Sequence, residues 1–202
     1  MKSVWDSHYK KEKSKLTYPD ENFIRLLSRV HTRNRMALDF GCGSGRHSFA
    51  LEREEYKVMG VDNSKVTIDS LNTLSSNVQF EHWIDLPFPV SEKQFGLILA
   101  WGVFHYNKRE DAKKIRNALY EALDVDGSFI GSIRAANDTH LKLKDGEMNL
   151  SDLSGGYAEL YTLDEVKDFL SPFSSVEIGY SERTPLGKLD ERICHWFFLA
   201  KK

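Results

Sequence analysis

The chain has 202 residues, 41% of them hydrophobic and 29% charged, with a formal net charge of −2. That length allows one domain with a sizeable core, and the composition is that of an ordinary globular protein. The charge balance offers no field for nucleic acid or an anionic membrane, and no apolar run approaches the roughly 20 residues of a membrane span. Cys42 and Cys194 lie far apart and outside any CxxC pattern, which excludes a disulfide framework or a cysteine zinc site. Met1–Asp6 lack the apolar run of a secretory signal, so a reducing cytoplasm is the expected location. No metal-ligand cluster is visible, and nothing in the sequence sets an oligomeric state.

Residues 1–18 place Trp5, His8, Tyr9 and Tyr18 among lysines. The lysines read as a solvated tail, while the rings also fit an arm folded over a pocket. Pro19-Asp20-Glu21 opens a helix with an apolar stripe of Phe23, Ile24, Leu27 and Val30. Strand and helix then alternate. Met36–Phe40, Lys57–Asp62, Val78–Trp83, Phe95–Trp101 and Ser128–Arg134 read as strands. Arg46–Glu55, a segment capped by Ser64, and Glu110–Leu123 read as helices. Phe95–Trp101 is nearly all apolar, as a parallel strand covered on both faces requires.

Residues 135–161 show no period, which suits a functional insertion. Thr162-Leu163-Asp164-Glu165 is a capping box that starts a last helix. Ser175–Arg183 and Arg192–Ala200 form a terminal hairpin, with Trp196, Phe197 and Phe198 assigned to the core. The expected organisation is one domain over 1–202. It comprises an N-terminal arm and helix (1–34), a ligand-binding core (35–134), an insertion (135–161) and a C-terminal helix and hairpin (162–202).

Alternation of this kind predicts an α/β fold with a mostly parallel sheet, whose ligand lies beyond the carboxyl ends of the strands. Asp39, the turn Gly41-Cys42-Gly43-Ser44-Gly45, Asp62, Asp85, Trp101 and Arg134 all fall at or beyond such ends. A dinucleotide fingerprint needs G-x-G-x-x-G, and Arg46 occupies the position of its last glycine. Asp39 would repel a pyrophosphate and favour an amine, while Asp62 suits a ribose diol. Together they point to an amine-bearing nucleoside that lacks a pyrophosphate.

Leu38-Asp39-Phe40-Gly41-Cys42-Gly43-Ser44-Gly45 resembles motif I of the class I S-adenosylmethionine-dependent methyltransferases. The resemblance covers about residues 35–134, and Asp85, counted back from the fourth strand, has a spacing similar to that of the tellurite-resistance-type members. It implies a Rossmann-like, seven-stranded, mostly parallel sheet with helices on both faces and an antiparallel C-terminal hairpin strand. It also implies S-adenosyl-L-methionine as cofactor and methyl transfer as activity. By the family pattern Asp39 reaches the methionine amino group, directly or through water. Gly41 and Gly43 lie under the methionine portion, Asp62 meets the ribose hydroxyls and Asp85 the adenine amino group. Cys42, Asn63, Leu86 and Trp101 complete the cofactor side. Asp85 directly abuts Leu86-Pro87-Phe88, a departure from many members, which leaves Trp83 as a neighbour of the adenine. Gly96 replaces the acid of a common Phe-Asp pair and reads as structural.

On the acceptor side, Tyr9, Tyr18, His105, Arg134 and Tyr157 are the candidates. His105 is attractive as a general base because imidazole titrates near neutrality; a bordering histidine without that duty is the competing reading. Cys42 reads as a turn filler, since no base is indicated beside it. The sequence has no Asn-Pro-Pro-Tyr, which leans toward a small-molecule acceptor. Rival readings are an inactive S-adenosylmethionine-binding regulator and a protein or RNA methyltransferase.

Overall fold

The computed structural model describes residues 2–143, 145–147 and 156–202. Lys144 and residues 148–155 of the expected insertion lie outside the described residues. In chain order the helices are α1 (Lys2–Tyr9), α2 (Glu21–Leu27), α3 (Arg46–Arg53), α4 (Lys65–Leu71), α5 (Arg109–Ala122) and α6 (Leu163–Phe169). The strands are β1 (Met36–Phe40), β2 (Lys57–Asp62), β3 (Gln79–His82), β4 (Phe95–Trp101), β5 (Leu123–Arg134), β6 (Ser175–Arg183) and β7 (Ile193–Lys201).

All seven strands form one sheet in the order β3-β2-β1-β4-β5-β7-β6. β1 to β5 are mutually parallel, and β7 runs antiparallel to both β5 and β6. This is the expected Rossmann-like sheet with its C-terminal antiparallel hairpin. Period-two alternation sends Leu38, Phe40, Ile98 and Ala100 to one face, packed with Leu119 of α5 and Phe169 of α6. Ala37, Leu97 and Leu99 face the other way, onto Phe23 of α2, Leu51 of α3 and Ile68 of α4. Buried on both faces, β4 needs its unbroken apolar run, whereas β6 at the sheet edge alternates half-buried and exposed residues.

Several boundaries differ from the sequence reading. β5 begins at Leu123, straight out of α5, with a register shift between Phe95 and Leu97 of its neighbour β4. α3 stops at Arg53, and Glu55 just beyond it has a positive φ of 63°. Ile24 is exposed, and Leu26 takes its place in the buried stripe of α2. Phe198 is fully buried, and Phe197 packs against the core while also lining a cavity. The first residues form a helix, α1, which packs Val4 and Trp5 against Leu141 and Ala158 of the insertion. Among the described residues, no helix is long and apolar enough to cross a membrane.

Candidate functional site

β1 is flanked by β2 on one side and β4 on the other, with their crossovers leaving in opposite directions. A crevice opens at such a switch point. The turn after β1 fills it with backbone. Gly41, Gly43 and Gly45 have φ of 76°, 52° and 77°, values that a residue with a Cβ rarely adopts. The N–H groups of Gly41 and Cys42 both donate to the Val61 carbonyl, at 2.8 and 2.9 Å, tying the turn to β2.

Asp62, the last residue of β2, closes this arrangement. One carboxylate oxygen accepts the Gly43 N–H at 2.9 Å and the other the Ser64 N–H at 2.8 Å. A carboxylate has about four acceptor positions, so capacity for a pair of hydroxyls remains. Burial raises the Asp62 pKa, partly offset by the amides of Ser64 and Gly43.

Asp39 points differently. Its side chain shares the α3 face with Ala37 and accepts the Ser48 hydroxyl at 2.6 Å. It is 1% exposed and lines neither cavity. Burial pushes its pKa up to about 7 against the Ser48 hydrogen bond, which lowers it. A direct contact with a cofactor amine, one of the two expected routes, is therefore not the geometry seen.

The crevice leads into a cavity of about 870 Å³. Gly41, Asp62, Asn63, Asp85, Leu86 and Trp101 line it, as do Trp83 and Phe88, whose rings stack at 5.3 Å. Those residues suit a nucleoside cofactor: a diol at Asp62, an apolar wall for a base and a carboxylate at Asp85. Trp5 and Tyr9 of α1 roof this space. α1 is pinned by Asp6, which accepts the Ser64 hydroxyl at 2.7 Å, and by Trp5, set edge-on to Tyr106 at 4.7 Å. A second cavity of about 290 Å³ is lined by Cys42, Gly43 and His47 and shares Gly41, Arg46 and Tyr9 with the first. A Cβ on Gly43 would overlap the Tyr9 hydroxyl.

His105, His195 and Phe197 form the far wall. The backbone N–H of Arg134 faces His105 Nδ1 at 3.2 Å, so the lone pair on Nδ1 is already engaged. That hydrogen bond is the reason the expected general-base role finds no support here. Burial and the positive charge of Arg134 hold the pKa of His105 well below its ordinary value, with His195 adding to the effect.

Arg134 itself is 8% exposed and paired with Asp138 at 2.6 Å, and it does not line the cavity. Tyr18 is 84% exposed and outside both cavities. Tyr157 packs against Gly146 and donates to Glu159, away from the cavity. Of the acceptor-side candidates, only Tyr9 and His105 line it. Cys42 is buried with a thiol pKa raised by burial, in keeping with a turn filler.

Sequence reasoning missed His195, Phe197 and the role of Arg46 as a lining cation. Arg46 stood in the sequence as a missing glycine. Its position one residue after the turn was the available signal.

Residues 37–127 match the family model described as a methyltransferase domain. No curated protein matches the chain in sequence. Among solved structures, the chain is similar to a SAM-dependent methyltransferase of Methanosarcina mazei, with a TM-score of 0.71 at 15% identity over 88% of this chain and 96% of that one. It is also similar to TehB of Haemophilus influenzae, with a TM-score of 0.67 at 17% identity over 98% of this chain and 67% of that one. A third similar structure is the Burkholderia thailandensis 1,6-didemethyltoxoflavin-N1-methyltransferase, bound to 1,6-didemethyltoxoflavin and S-adenosylhomocysteine. Its TM-score is 0.61 at 16% identity, over 100% of this chain and 79% of that one. At these identities the likeness concerns the fold. Residues 37–127 thus match a methyltransferase domain in sequence, and the solved structures share its fold.

Proposed function

We propose that the protein methylates a small molecule, and that it does so by alignment, without a protein base. The observation that carries this reading is the main cavity beneath α1. Its cofactor-side residues Gly41, Asp62 and Asp85 and its far-side residues His105, His195 and Phe197 line one continuous space of about 870 Å³, roofed by α1. That is at the upper end of the roughly 300–1,000 Å³ of small-molecule sites, and the roof suits a compact acceptor better than a polymer.

S-adenosylmethionine, when bound, supplies a methyl group already activated by its sulfonium. The chain's own residues then bind and orient. Asp62 would hold the ribose hydroxyls, Asp85 the adenine amino group, and Trp83 with Phe88 the face of the base. Arg46, which lines both cavities, would take the methionine carboxylate. Asp39 would act on the amino group through its field, from behind the turn. Trp5 and Tyr9 would exclude water. Alignment of this kind can supply roughly 7–11 kcal/mol of barrier reduction in favourable cases.

The test is to incubate the enzyme with methyl-labelled S-adenosylmethionine and cell extract divided by size. Label in the small-molecule fraction is the expected result. Label on protein or RNA, with none in the small fraction, would contradict the proposal.

A further inference from the structure

The two histidines of the far wall are not interchangeable in their ring nitrogens. A backbone amide can only donate, so His105 Nδ1, 3.2 Å from the Arg134 N–H, is an acceptor. A neutral imidazole with one accepting nitrogen carries its proton on the other. His105 Nε2 is therefore an N–H, and it is buried with no hydrogen-bond partner among the described residues. A buried donor left unmet costs roughly 1–3 kcal/mol, which marks it as waiting for a partner.

His195 carries the same logic in mirror image. Its Nε2 lies 3.2 Å from Nη1 of Arg134. A guanidinium never accepts, so Nε2 does, and the proton sits on Nδ1. Burial and the Arg134 charge push the pKa of His195 down to about 3, so the ring is neutral.

Arg134 sets both rings, one through its main chain and one through its side chain. It is held in turn by Asp138, which accepts Arg134 Nε at 2.6 Å and the Cys194 N–H at 2.9 Å on one oxygen. The other oxygen accepts the Leu141 N–H at 3.0 Å. Arg183 adds a cation to the same wall of the cavity. Glu182 lines the same cavity, but its carboxylate is paired with Arg192 at 3.2 Å and accepts the Tyr180 hydroxyl at 2.9 Å, so what the two rings offer there is N–H donors.

We propose that His105 and His195 recognise the methyl acceptor as a pair of N–H donors, so that the substrate presents an acceptor-only oxygen there, of a carbonyl, carboxylate or enolate. Arg134 is the positioning residue that fixes their tautomers. This inference rests on the small-molecule reading above. It also fixes the proton balance. The acceptor atom attacks the methyl carbon with its own lone pair, and the carbon–sulfur bond breaks with its electron pair going to sulfur. Any proton the acceptor loses goes to solvent and not to His105.

The experiment uses the full chain. Calorimetry with S-adenosylhomocysteine comes first, and its failure would sink the cofactor reading instead of this one. On the saturated complex, benzoate and benzamidinium serve as acceptor-only and donor-only probes of one shape. Benzoate is expected to bind about 10-fold or more tightly than benzamidinium. His105→Leu should remove that preference. His105→Gln, whose amide can accept from Arg134 and donate to the probe but cannot act as a base, should keep it. Nitrogen-15 spectra at pH 7 should show His105 protonated on Nε2 and His195 on Nδ1. Arg134→Lys should blur the His195 signal toward a mixture of tautomers and leave His105, held by a main-chain amide, unchanged. Absence of benzoate binding, equal binding of the two probes, a protonated His105 Nδ1, or a His195 signal indifferent to Arg134→Lys would overturn the proposal. The wild-type spectrum decides even where a variant fails to fold.

Discussion

The Asp62 carboxylate accepts the backbone N–H of Gly43 at 2.9 Å, so the end of β2 and the turn after β1 are joined before any ligand arrives. The same side chain also caps the N–H of Ser64 at 2.8 Å. Asp62→Ala would leave both amides without their acceptor. The expected result is a loss of about 2–3 kcal/mol in stability without ligand, read by denaturant unfolding. A variant as stable as the parent would mean that the turn does not depend on this tie.

Asp39 predicts a pH dependence. Its folded pKa of about 7 exceeds its ordinary 3.8, so the native chain holds this proton more tightly than the unfolded one. The stability it contributes is present below about pH 4 and lost as pH rises through about 7. Asp39→Asn removes the ionisation and keeps an oxygen for Ser48. Relative to the parent, its melting temperature should rise more at pH 8 than at pH 5. His47, His105 and His195, whose pKa values are lowered by burial, lose stability in the opposite direction on acidification. They cancel when parent and variant are compared at one pH. An equal change at both pH values would contradict the account.

Gly96 reads as structural for a reason the structure supplies: a Cβ there would overlap the carbonyl oxygen of Asn34. Gly96→Ala should therefore cost about 1–3 kcal/mol through backbone displacement. Binding of S-adenosylhomocysteine should be unaffected, because Gly96 is the second residue of β4, at the end away from the cavity. Calorimetry beside an unfolding curve separates the two.

The roof can be loosened without touching the cofactor wall. Trp5 packs edge-on to Tyr106 and beside Leu141 and Ala158, so it anchors α1 to the insertion. Trp5→Ala should speed release of S-adenosylhomocysteine by about 10-fold in stopped-flow chase experiments, since a lid held by fewer contacts opens more often. An unchanged release rate would show that α1 is not a lid.

What the sequence made legible was what chain-local physics determines. β1, β2, β4 and β6 were read to the residue, because apolar runs and alternation are local signals. Asp62, Asp85 and Trp101 were placed near one another because each lies at or beyond a strand's carboxyl end, and all line the main cavity, as do Asn63 and Leu86, which the family resemblance added. The direction of Asp39 was also there to be read, since Leu38 and Phe40 alternate with it. His195 and Phe197 were not legible. They reach the cavity only because β7 pairs antiparallel with β5, setting Phe197 opposite Ser132 and His195 opposite Arg134. That register comes from long-range pairing. Arg134 looked like a substrate ligand for the same reason: its partners Asp138 and His195 meet it only in the fold.

The most direct measurement of the central claim is calorimetric titration of the protein with S-adenosylhomocysteine, alongside Asp62→Asn. The account predicts one site per chain in the parent and binding weakened about 10-fold or more in the variant, whose amide cannot accept on both sides as the carboxylate does. Absence of binding in the parent, or equal affinity in Asp62→Asn, would contradict it.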